Sequence, residues 1–98
     1  MHTVIRHYKS NAKLIEELER RSGEVEAIMR GVPGFVAYRL IKTAGGGVSI
    51  SVFNDEAGAE ESSRVAKQWI KENAPSVAGR APQLIQGESI LQFSKESG

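Results

Sequence analysis

The chain has no cysteine among its 98 residues, which excludes disulfides, thiolate nucleophiles and cysteine-built metal sites together. Histidine is nearly as scarce. There are two, His2 and His7, and His2 stands at the start of the chain, so no metal site is expected. Excess charge of one sign is also missing. A formal net charge of +1 points neither to a polyanionic partner such as nucleic acid nor to an acidic tail. No stretch approaches the ~20 apolar residues of a membrane helix, and Met1-His-Thr-Val-Ile-Arg-His-Tyr8 lacks a signal-peptide pattern. A cytoplasmic protein that binds neither membrane nor nucleic acid is expected.

What is present suits one globular domain, positions 1–98, with 40% hydrophobic and 26% charged residues. Thr3 to Lys9 reads as a β-branched and aromatic strand. Ser10 or Asn11 can cap a long helix whose apolar stripe is Leu14, Ile15, Leu18, Val25, Ile28 and Met29. Arg21, Ser22 and Gly23 interrupt that stripe. Gly31 suits a left-handed residue after the last turn, and Pro33 prevents continuation. Phe35 to Lys42 and Val48 to Phe53 then form a hairpin around Ala44-Gly-Gly-Gly47. Asp55 caps a second helix with the stripe Ala59, Ser62, Val65, Ala66, Trp69 and Ile70. A Pro- and Gly-containing connector, Asn73 to Pro82, leads to a last strand from Gln83 to about Ser94, with Gly87 inviting a bulge.

The order βαββαβ predicts an α+β, ferredoxin-like unit: a four-stranded antiparallel sheet with two helices on one face. On the second strand Phe35, Ala37 and Ile41 would share one face, and Val36, Tyr38 and Leu40 the other. The second and fourth strands are apolar on both faces, so the uncovered face would be a large apolar patch. A homodimer through the sheet faces is the expected solution.

At this point the chain resembles the antibiotic biosynthesis monooxygenase-like family of the dimeric α+β barrel superfamily. The carriers are Thr3-Val-Ile-Arg-His-Tyr8, Met29-Arg-Gly-Val-Pro-Gly-Phe-Val-Ala-Tyr38 and Val48-Ser-Ile-Ser-Val-Phe-Asn-Asp-Glu-Ala-Gly-Ala-Glu-Glu-Ser62. The pattern looks like that of the family's small uncharacterised bacterial members. The resemblance implies two sheets packed into a dimeric α+β barrel, with a pocket in each subunit between sheet and helices. It also implies activities ranging from cofactor-free oxygenation of polyphenols and quinol oxidation to haem degradation, as well as members with no known activity. The haem-degrading branch uses an asparagine on the first strand, and a tryptophan followed by a histidine on the second helix. Here the first strand offers Arg6 and His7, Trp69 comes about two turns late with Ser62 in its place, and no histidine follows His7. Haem degradation is therefore disfavoured.

His7 is the candidate catalytic proton acceptor, because imidazole titrates near neutral pH. A hydrogen-bonded interface histidine is the plainer alternative. Tyr38, Arg39, Asn54 and Trp69 are candidate ligand-binding residues, of the types the polyphenol oxygenases use. Trp69 could stack on a flat ring, although its place in an apolar stripe equally suits the core. Tyr38 and Arg39 lie on opposite faces of one strand, so at most one can reach the pocket. The glycine run has no following Lys-Ser/Thr and is not a phosphate loop. Gly34-Phe-Val-Ala-Tyr38 echoes an RNA-recognition signature but falls on the second strand instead of the third. Two readings follow: a monooxygenase or quinol oxidase acting on a small aromatic without any cofactor, or a non-catalytic dimer that binds a small ligand or serves a structural role.

Overall fold

The computed structural model describes residues 1–95, and positions 96–98 lie outside the described residues. The strands are β1 (His2–Tyr8), β2 (Phe35–Thr43), β3 (Gly46–Phe53) and β4 (Gln83–Glu88). The helices are α1 (Ala12–Arg20), α2 (Ser22–Arg30) and α3 (Glu56–Asn73), and a 3-10 turn spans Pro75–Val77. All pairings are antiparallel, in the order β2-β3-β1-β4, which is the ferredoxin-like arrangement. The helices pack on one sheet face.

The single long first helix expected from the sequence is two helices. Arg21, with φ −111° and ψ 35°, leaves helical geometry between them. Its guanidinium secures the break, donating to the Asn73 carbonyl at 2.8 Å and lying 4.9 Å from the Trp69 ring centre. Asn11 is the cap of α1, its Oδ1 accepting from the Leu14 amide at 3.3 Å, and Asp55 caps α3 through the Gly58 amide at 2.9 Å. Gly31 is right-handed, contrary to expectation (φ −78°). The left-handed turn falls at Gly34 (φ +82°), where Pro33 has already ended the helix and the chain swings into β2.

The bulge also sits elsewhere than expected. Gly87 pairs in register with Thr3, and the irregularity lies between Phe35 and Ala37 on β2. That extra residue places Phe35 on the same face as Tyr38 and Leu40, so it packs on Phe53 with ring centres 6.0 Å apart. The core joins Val4, Met29, Val32, Phe53 and Ala59 to a second cluster of Tyr8, Leu14, Ile15, Leu18 and Val25. β4 ends at Glu88, well short of Ser94, and Ile90, Leu91 and Phe93 beyond it are 80% or more exposed.

β3 inverts the usual amphipathic rule. Ser49 and Ser51 are buried beneath the helices, whereas Val48, Ile50 and Val52 point to the open face. There Ile50 pairs with Ile5, which pairs with Ile85, forming an uncovered apolar row.

Candidate functional site

β1 alternates Val4, Arg6 and Tyr8 toward the helices with Ile5 and His7 toward the open face. Arg6 is therefore carried under the helices, where it is 3% exposed. Burying a guanidinium is costly unless its charge is compensated. Its partners here are hydroxyls: Nη1 donates to Ser51 Oγ at 3.0 Å, and Nη2 donates to Ser62 Oγ at 2.8 Å and Ser63 Oγ at 2.9 Å. Ser62 spends its own proton on the Ala59 carbonyl at 2.6 Å, so its oxygen is free to accept. Among the described residues Arg6 forms no ion pair, whereas Arg20, Arg21, Arg30, Lys42 and Arg64 all do. Burial pulls the Arg6 pKa below its ordinary value, and Tyr8 and Tyr38 oppose that shift.

The two phenols stand beside this cation. Burial raises the Tyr8 pKa, and it pushes Tyr38 up to about 12, so both hydroxyls are neutral at physiological pH. Ser49 lies between them, near enough to lower both pKa values somewhat, yet its Oγ is buried without a properly formed hydrogen bond.

Arg6 and Tyr8 sit at the base of a cavity of about 530 Å³ between α3, the connector after it and the β1–β4 edge. Its walls are mainly apolar, with Leu14, Ile70, Pro82 and Leu84 among them. Lys67, Lys71 and Arg80 stand at its rim, and no acidic residue lines it among the described residues. A second cavity, about 570 Å³, lies between α1, α2 and β2. Charges of both signs line that one, including Lys42 and Glu19 joined at 2.8 Å, and no buried charge faces it.

The sequence-derived candidates are dispersed. Tyr38 points under the helices near Arg6 and Tyr8, but it lines the second cavity and not the one over Arg6. His7 and Arg39 share the face of Ile50 and Val48, on the opposite side of the sheet from the cavity, because strand alternation gave the inward position to Arg6. Asn54 is exposed at the end of β3, its backbone N–H donating to the Gly34 carbonyl at 2.8 Å. Trp69 packs in the second core cluster, with Arg21 over its ring, so that face is not open for stacking on a ligand. The reading from sequence missed Arg6 and the serines around it. The available signal was a charged residue on the inward parity of β1 matched by serines in two apolar stripes.

No family model matches the sequence, and no curated protein matches it either. Solved structures do match. A protein of unknown function from Nitrosomonas europaea superposes with a TM-score of 0.75 at 14% identity, covering 98% of this chain and 95% of that one. A Streptomyces coelicolor monooxygenase in complex with the ligand Nanaomycin D gives 0.65 at 16% identity, with 97% and 91% covered. The heme degrader MhuD from Mycobacterium tuberculosis, with two hemes in its active site, gives 0.62 at 17% identity, with 96% and 100% covered. The chain shares its α+β, ferredoxin-like fold with these proteins and with a solved antibiotic biosynthesis monooxygenase (TM-score 0.65, 18% identity, 93% of this chain and 100% of that one covered). At these identities the fold is what is shared.

A heme would need an axial side chain, most often histidine. Neither His2 nor His7 lines the cavity, and no group of three His, Asp or Glu side chains among the described residues could hold a metal ion. The residues present do not fit a histidine-ligated heme. No described helix is long and apolar enough to cross a membrane.

Proposed function

We propose that the cavity over Arg6 is a binding site for a small aromatic molecule, and that the protein oxidises such a molecule without a cofactor. The observation that carries this reading is the buried guanidinium, compensated only by hydroxyls, at the base of a largely apolar cavity. Apolar walls with a few convergent polar groups suit a flat ligand, and a buried charge without an ionic partner, its pKa shifted by burial, is a common mark of a functional site. The monooxygenase fold supports the oxidative reading by analogy. With a hydroquinone as probe, the quinol would lose two electrons and two protons to dioxygen, giving quinone and hydrogen peroxide. The expected result is oxygen uptake that depends on the hydroquinone and falls at least tenfold in Arg6→Gln. No uptake with any electron-rich phenol would remove the enzymatic reading.

One observation favours a second reading, non-catalytic ligand binding. No histidine, aspartate or glutamate lines the cavity among the described residues, so no ordinary general base is at hand. Saturable binding without oxygen uptake would select it.

The open sheet face supports a homodimer. Ile5, Ile50 and Ile85 form its centre, and the exposed Ile90, Leu91 and Phe93 provide further apolar surface for a second copy to cover. His7 and Arg39 would then belong to the dimer contact. Sedimentation of the purified protein tests this directly.

A further inference from the structure

We infer that the cavity over Arg6 takes its aromatic ligand as a phenolate, with the single anionic oxygen seated at the Arg6 guanidinium and the ring between the apolar walls. This rests on the reading of that cavity as the ligand site.

Three observations converge. The first is charge: Arg6 lies at the base, and Lys67, Lys71 and Arg80 at the rim, with no acidic side chain in the lining. Lys67 and Lys71 are one helical turn apart, a like-charge spacing that mildly destabilises a helix. None of these cations is ion-paired among the described residues, so the field in the cavity favours an anion.

The second is hydrogen bonding. A guanidinium has five N–H donors. Three are committed to Ser51, Ser62 and Ser63, and both hydrogens of Nη2 are among them. Every two-point grip of a carboxylate by arginine uses Nη2, either with Nε or with Nη1. A carboxylate would have to displace a serine to be held that way. One oxygen can be met by the remaining Nε or Nη1 donor without disturbing the serines.

The third is the missing base. A phenol bound in this field ionises by releasing its proton to solvent, so the step balances as phenol to phenolate plus a solvated proton and needs no side chain to accept it. The titratable and charged groups facing Arg6 and the cavity are Tyr8 on β1, Tyr38 on β2, Lys67 and Lys71 on α3, and Arg80 on the connector. The tyrosines are neutral at physiological pH and so do not oppose a bound anion.

The probe is 4-nitrophenol, whose ionised form is read by its visible absorbance, with 4-nitroanisole as an isosteric control that cannot ionise. The expected result is a fall of at least one unit in the apparent pKa of bound 4-nitrophenol, and at least tenfold weaker binding of 4-nitroanisole. Arg6→Gln should abolish the shift. Should that variant unfold, Lys67→Gln combined with Arg80→Gln, both at exposed rim positions, should reduce it. Amide shifts of Gly79 and Ala81 report cavity occupancy independently. If both compounds perturb those amides with equal affinity and the pKa does not fall, the phenolate inference is overturned while the cavity reading stands. If neither compound perturbs them, both fall. If the pKa shift appears without oxygen uptake from hydroquinones, only the oxidative reading fails.

Discussion

Ser62 Oγ lies 2.8 Å from Nη2 of Arg6 and gives its own proton to the Ala59 carbonyl, so it can meet the guanidinium only as an acceptor. A helix residue is thereby tied to the middle of β1 across the core. The tie holds a cation in place without neutralising it.

The first prediction follows from that distinction. Ser62→Ala leaves an N–H of a buried guanidinium unsatisfied and should cost about 1–3 kcal/mol. Arg6→Met removes the charge together with its hydrogen bonds and should be close to neutral or stabilising, as apolar replacements of buried ionic groups often are. Urea unfolding of both variants checks this. Arg6→Met proving the less stable of the two would mean the guanidinium is mainly structural.

The second concerns alkaline pH. Tyr38 titrates in the folded state at about 12, against an ordinary value near 10. The native protein therefore holds a proton that the unfolded chain has already lost between those values. The stabilisation is fully present below about pH 10 and is lost as the pH rises toward about 12. Tyr8, raised by burial as well, adds in the same direction. Tyr38→Phe should flatten the fall, which chemical denaturation across this window would measure.

The third tests the seat of α3. A Cβ at Gly58 would stand 2.7 Å from the Pro33 carbonyl oxygen and 3.2 Å from the Phe53 Cβ. Gly58→Ala should cost on the order of 1–3 kcal/mol through backbone displacement, despite alanine's better helix propensity. Thermal unfolding would show the loss, and an unchanged midpoint would mean that α3 shifts freely on the sheet.

The fourth addresses the open face. Ile50→Lys places a charge in the centre of the Ile5–Ile50–Ile85 row and should convert the proposed dimer to monomer. His7→Ala, on the same face, should change the dimer dissociation constant and leave 4-nitrophenol affinity within about twofold. Analytical ultracentrifugation and optical titration separate the two effects. Loss of ligand affinity with the dimer intact would return His7 to the site.

Most of the architecture was legible along the chain, because each element carries its own local signal. The caps Asn11 and Asp55, the stop at Pro33 and the hairpin glycines all act within a few residues of themselves. The misplaced details were those set by neighbours. Phe35 joins the core only because β2 bulges against β3, and β4 ends where its pairing with β1 ends.

The candidate site was far less legible. His7 and Trp69 drew attention as chemically distinctive residues, yet one is turned to the open face and the other is covered by Arg21. The serines looked unremarkable. Ser49 and Ser51 alternate with Val48, Ile50 and Val52, and either set could have faced the helices. Alternation has two solutions, and the pattern alone does not choose between them.

By itself, then, the sequence determined the alternation of strands and helical segments, the sheet class and the excess of apolar surface, since propensity, capping and periodicity are properties of short segments. The break at Arg21 that splits the first helical segment was not among them. Which face of each strand lies beneath the helices was decided only in the tertiary structure. That choice depends on β1, β3 and α3 meeting at once, and it is what brings Arg6, Ser51 and Ser62 to a common point under the helices.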